Sequence, residues 1–215
     1  KNKINQFGVL EVLRHPVDLL NINVDLFYPK PSASDSKEAH WQYSQNQFSV
    51  TRQLTFSERR PGLEIDMAIF VNGIPLFTIE LKNPWTYQTA KYDGEMQYRK
   101  DRDPRETLLN FGRCLAHFTM DKDEVYFTTK LEKEKTYFMP FNKGLPDGQG
   151  AGNPVNPNGY KTSYMWEHIF QKDTISDIVP SPTLKSSSEP NTIKEMTSSG
   201  NSSIGAYNET PYFLA

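Results

Sequence analysis

Two apolar runs, residues 63–71 and 74–82, meet at Asn72-Gly73, and this junction constrains the fold more than any other stretch. Asn-Gly readily supplies the left-handed backbone of a tight turn, so the runs are expected to pair as a β-hairpin. They read Leu-Glu-Ile-Asp-Met-Ala-Ile-Phe-Val and Ile-Pro-Leu-Phe-Thr-Ile-Glu-Leu-Lys. The first run therefore carries Asp66 and the second Glu80 and Lys82. Charges in such strands cost desolvation energy unless they are paired or bound to a cation.

A metal-dependent phosphodiesterase can use this trio. Two hard carboxylate oxygens hold Mg²⁺, and an ammonium group sits by the charge that develops on phosphorus. Asp66 and Glu80 are the expected metal ligands, with the Leu81 backbone carbonyl as a third oxygen and Lys82 as the cation. Strand parity sets a condition. A two-residue turn pairs Val71 with Ile74 and sets Asp66 opposite Ile79, so that Asp66 and Glu80 face opposite ways. A three-residue loop, 71–73, sets Asp66 opposite Thr78 and restores a shared face. Cleavage chemistry thus requires that loop or a bulge elsewhere in the hairpin. Phe77, Ile79 and Leu81 then form the core face. Glu-x-Lys alone arises often by chance, and a solvated cross-strand pair of Lys82 with Asp66 is the plain alternative.

The 215 residues suffice for one proper core and at most an appendage, and a single cysteine, Cys114, excludes an internal disulfide framework and fits a reducing cytoplasm. No apolar run approaches a membrane span, and residues 1–7 lack the apolar core of a signal peptide. Position 1 is not Met, so a trimmed start is expected. A net charge of −2 does not advertise nucleic-acid binding, although a cleft can be locally basic. Arg52, Arg59-Arg60, Lys91, Arg99-Lys100, Arg102 and Arg105 cluster in sequence near the trio. Of these, Arg52, Lys91, Arg99 and Lys100 are the expected phosphate contacts, with a solvated face interleaved by Asp101, Asp103 and Glu106 as the alternative.

Along the chain, residues 1–30 mix short apolar stretches, and 29–45 read as a polar surface loop. Residues 48–56 alternate as a strand, 84–101 read as one helix, and 114–120 with 125–129 as a hairpin. Residues 137–141 form a short aromatic strand, 144–159 are irregular, and 164–170 and 174–179 are short helices. The Ser-, Thr-, Asn- and Pro-rich stretch 180–215 reads as a linker or mobile tail. The histidines have no metal-ligand spacing, and His117 is expected to be packed or hydrogen-bonded. Trp85 beside the trio could stack on nucleic acid. Glu11 and Asp25 are available as a further acidic ligand.

Asp66, Glu80 and Lys82 match the PD-(D/E)xK nuclease pattern, and their surroundings resemble the N-terminal part of the R (HsdR) subunit of type I restriction enzymes. The resemblance is carried by Phe48-Ser-Val-Thr-Arg-Gln-Leu-Thr-Phe, Gly62-Leu-Glu-Ile-Asp, Asn72-Gly-Ile-Pro-Leu and Glu80-Leu-Lys-Asn-Pro. It continues through Gln97-Tyr-Arg-Lys-Asp-Arg-Asp-Pro-Arg105, Phe138-Met-Pro-Phe-Asn-Lys-Gly and Asn158-Gly-Tyr-Lys-Thr, over about residues 48–179. It implies an α/β fold with a restriction-endonuclease-like core, a mixed central sheet flanked by helices, and Mg²⁺-dependent cleavage of double-stranded DNA, with Mn²⁺ as a substitute. It divides the chain into a nuclease domain, 1–179, and the tail. Within the domain, 1–45 form a helical and loop extension, 46–141 the catalytic core, and 142–179 lead towards a motor part. It further implies a larger polypeptide that couples ATP to translocation and works with methyltransferase and specificity subunits.

Two departures are visible. Ile65 precedes Asp66 where the pattern has proline. The family's Gln-x-x-x-Tyr motif is blurred: Gln97 stands in the expected neighbourhood but is followed four residues later by Asp101, whereas Gln88 has Tyr92. Gln97 is the expected site residue. No Gly-x-x-x-x-Gly-Lys-Ser/Thr loop is present, so ATP is expected to be used only by the full-length subunit. A stand-alone restriction or repair nuclease, and a non-catalytic DNA-binding module that keeps the fold, remain as alternatives.

Overall fold

A computed structural model describes residues 2–145 and 150–179; the expected tail lies outside the described residues. Helices α1 (Asn2–Phe7) and α2 (Val9–Arg14) lead into a small hairpin, β1 (Val17–Leu19) and β2 (Ile22–Val24). Helix α3 (Lys37–Ser44) precedes strands β3 (Phe48–Thr55), β4 (Glu64–Val71) and β5 (Ile74–Leu81). A crossover containing α4 (Glu95–Lys100) leads to β6 (Ala116–Met120), β7 (Val125–Thr128) and β8 (Met139–Pro140), and α5 (Lys172–Ile178) closes the described chain. The sheet runs β3-β4-β5-β6-β7-β8, parallel only between β5 and β6 and antiparallel elsewhere. The molecule is thus α/β with a mixed six-stranded sheet flanked by helices, consistent with a restriction-endonuclease-like core. No described helix is long and apolar enough to cross a membrane.

The turn and the register settle the parity condition. Asn72 (φ 49°) and Gly73 (φ 77°) are both left-handed, and Val71 pairs with Ile74, so the turn has two residues rather than three. The register then shifts: Phe70 pairs with Pro75 but Ile69 with Phe77, leaving Leu76 as the extra residue of a bulge. Met67 pairs with Ile79, and the next step sets Asp66 against Glu80. Directly opposed residues share a face, so the bulge brings the two carboxylates together.

Alternation along the strands separates two apolar layers. Phe77, Ile79, Phe118, Val125 and Phe127 join one cluster, which also takes in Val9, Leu13 and Phe27 from the N-terminal region. Residues 1–45 are therefore partly built into the core rather than appended to it. The opposite face holds Ala90, Tyr98, Leu109, Tyr126 and Phe138. Leu81, expected in the core, is 41% exposed because it ends β5 beyond the packed layer.

Two helix expectations are corrected. The polar stretch 29–45 contains α3, started by Ser36, whose Oγ accepts from Ala39 N at 3.1 Å. It buries no residue, so apolar periodicity could not reveal it. Residues 84–101 are not one helix: Pro84–Thr86 make a 3-10 turn, Tyr87 is left-handed (φ 59°), and Ala90–Gly94 form a π turn before α4.

Gly94 sets how closely this crossover lies on the sheet. A Cβ there would stand 1.6 Å from Thr119 Oγ1 and 2.8 Å from Thr119 Cβ. Thr119 Oγ1 also donates to the Ala90 carbonyl at 3.1 Å. We expect Gly94→Ala to cost about 2–3 kcal/mol in urea denaturation through overpacking. Adding Thr119→Ala should recover part of that loss, and strictly additive losses would show that the close approach is unimportant.

Candidate functional site

The trio lies where β4 begins and β5 ends, at one end of the sheet. Asp66 is half-buried, and its Oδ2 accepts from the Leu81 backbone N–H at 2.8 Å. Glu80 is fully buried, and its Oε1 accepts from Arg102 Nε at 2.6 Å. The second oxygen, Glu80 Oε2, has no hydrogen-bond partner among the described residues. Burial pushes the Glu80 carboxyl up to about 7; Arg102 opposes that shift and the nearby Asp66 carboxylate adds to it. A buried, uncompensated carboxylate oxygen next to a second carboxylate is suited to a divalent cation. Lys82, just past β5, donates its ammonium to Gln97 Oε1.

The crossover supplies both partners. Tyr98, fully buried, is within 2.9 Å of Thr78 Oγ1, which lies 2.7 Å from His117 Nδ1. This network fixes α4 over the sheet face that carries Thr78 and Glu80, so Gln97 reaches Lys82 and Arg102 reaches Glu80. Burial lowers the pKa of His117 to about 4, which keeps it neutral and hydrogen-bonded, as its place in an apolar strand suggested.

Other expected residues fall differently. Gln88 is exposed and has no side-chain bond among the described residues, whereas Gln97 contacts the trio. Glu11 pairs with His15 at 3.6 Å and Asp25 is exposed; among the described residues no third His, Cys, Asp or Glu joins Asp66 and Glu80. Arg99 is committed to Glu95 (2.8 Å) and to the Thr136 carbonyl (3.1 Å), while Arg52, Lys91 and Lys100 are exposed. Trp85 is 85% exposed, on the loop that follows Lys82.

The sequence model of the family described as type I restriction enzyme R protein N terminus matches residues 28–136, about half of the chain. The chain belongs to that family. No curated protein matches it. The R-protein match begins before β3, takes in the whole trio and α4, and ends ahead of β8.

In this R-protein N-terminal region, sequence reasoning missed the role of Arg102. Four cations, Arg99, Lys100, Arg102 and Arg105, stand close together, and no spacing rule picks out the one that turns inward. Arg102 is 5% exposed, donates through Nη2 to the Glu64 carbonyl at 2.8 Å, and lies over the Phe56 ring.

The sign of its effect follows from Glu80. A folded-state pKa near 7 against an ordinary 4.5 means that ionising Glu80 removes stability as pH rises through that interval. Arg102→Met strips the counter-charge from the ionised form. Urea denaturation should show a loss of about 3 kcal/mol at alkaline pH. The loss should shrink to about 1 kcal/mol at mildly acidic pH, where Glu80 is protonated and the Glu64 bond and the contact with Phe56 are what is missing. A loss independent of pH would sink the assignment.

Proposed function

We propose that this chain is the nuclease domain of a type I restriction R subunit and cleaves double-stranded DNA with Mg²⁺ or Mn²⁺. One arrangement supports the reading: the bulge sets Asp66 and Glu80 on one face, with Glu80 Oε2 unpartnered and Lys82 beside them. Asp66, Glu80 and the Leu81 carbonyl would hold the ion. Bound there, it would acidify a water and offset phosphate charge. Glu80 would offer Oε2, since Arg102 occupies Oε1. Gln97 steers the Lys82 ammonium, whose remaining N–H bonds have no acceptor among the described residues and would meet a water or a non-bridging phosphate oxygen as negative charge builds on phosphorus.

In the same proposal the polypeptide continues into an ATP-driven motor and works in the cytoplasm with methyltransferase and specificity subunits. Target choice then rests with those partners, and this domain needs only sequence-independent contact with DNA. A second reading, a non-catalytic module, is favoured by one observation: Arg102 already neutralises Glu80 in part.

Calorimetry separates the two. Mn²⁺ should bind the chain with measurable heat, and Asp66→Asn or Glu80→Gln should weaken binding by about tenfold or more through loss of a ligand. In the assembled complex Lys82→Ala should lower cleavage by about a hundredfold or more while metal binding persists. Identical Mn²⁺ isotherms for wild type and Asp66→Asn would overturn the nuclease reading.

A further inference from the structure

Beside the carboxylate pair, the end of α4, the 57–62 turn and the 3-10 turn Lys133–Lys135 enclose an open cleft of about 500 Å³. Arg102 is the shared wall: its guanidinium holds Glu80, and its side chain also lines the cleft. Seven of the ten lining residues are Lys or Arg and three are Asp or Glu. This concentration of positive charge sits on a chain of net charge −2.

Much of the charge is already committed. Arg105 grips Asp103 at 2.7 Å and holds that carboxyl well below the usual range. Glu106 is buried and accepts from Ser57 Oγ at 2.7 Å, while Ser57 Oγ accepts from the Arg60 backbone N–H at 2.9 Å. The acid therefore shapes the turn as well as lying near Arg105. Arg60 fastens the same turn to the Asp101 carbonyl at 3.0 Å. Arg59, Lys100 and Lys133 remain, all exposed and with no carboxylate in ion-pair contact among the described residues. Gathering like charges is unfavourable until an anion fills the space between them.

The lining also limits which anion. Every lining residue is charged and none is aromatic, so the cleft offers charge rather than an aromatic face on which a base could stack. The three free cations come from the 57–62 turn, the end of α4 and the Lys133–Lys135 turn, so each bordering segment brings one to the cleft. We infer that this cleft seats the phosphate backbone of duplex DNA next to the carboxylate pair. The choice of DNA rests on the nuclease reading; the gathering of cations around the cleft does not. Of the contacts expected from sequence, Lys100 and Arg99 line the cleft, whereas Arg52 and Lys91 do not.

Binding of a short labelled duplex to the 215-residue chain, followed by anisotropy across a salt series in EDTA, tests the assignment. The variant Arg59→Gln/Lys100→Gln/Lys133→Gln should reduce the salt slope by about 2–3, at roughly 0.9 for each phosphate no longer neutralised. Its affinity at moderate salt should fall by about tenfold or more. The substitutions are at exposed positions, and an unchanged melting temperature confirms the fold. An unaltered slope in the triple variant, or no duplex binding by the wild type at low salt, overturns the inference. So does inorganic triphosphate competing as well as duplex at equal phosphate concentration, or single-stranded DNA binding more tightly than duplex. Mn²⁺ calorimetry reads the carboxylates separately. Metal binding with an insensitive cleft rejects only this inference, and a DNA-binding cleft without metal-linked heat rejects only the nuclease reading.

Discussion

A carboxylate buried at the end of a central strand is tolerated because a guanidinium from the crossover, just past α4, lies against it. The Glu80–Arg102 pair fixes more than its own two residues. Arg102 also binds the Glu64 carbonyl, so one side chain ties β4, β5 and the segment after α4 together. The pairing is incomplete, since Glu80 Oε2 is left without a partner. That incompleteness weakens the pair as a structural device and suits it to a cation.

The remaining geometry serves to bring the crossover down onto the sheet. Gly94 permits the approach above Thr119, and the Tyr98–Thr78–His117 network holds α4 in register with β5. Gln97 and Arg102 then reach their targets from the same segment. The opposite sheet face is given over to aromatic packing: Phe118 makes edge contacts with Phe77, Phe141 and Phe170. The carboxylate and the phenylalanine cluster thus occupy opposite faces of the same strands, which is how β5 can carry Glu80 between Ile79 and Leu81.

Much of this was legible beforehand. Asn72-Gly73 announced the hairpin, alternation marked β3, and the apolar pairs around residues 121–124 marked β6 and β7. The trio itself could be read because charge in an apolar strand is conspicuous. α3 was hidden because it buries nothing, and the break at Tyr87 because no local rule demands a left-handed tyrosine. Gln97 was preferred over Gln88 by neighbourhood alone; its contact with Lys82 depends on where the π turn places α4.

By itself the sequence placed Asp66 and Glu80 on the two strands of the hairpin and Lys82 at the end of the second, because period-two patterning and turn chemistry are local properties. It also narrowed the hairpin to two loop geometries or a bulge. Only the tertiary structure decided among them, by inserting Leu76 as the extra residue and so turning Asp66 towards Glu80. Arg102, the free oxygen of Glu80 and the basic cleft were likewise decided in three dimensions. Each depends on which of several similar charges is brought inward, and packing of the crossover against the sheet makes that choice.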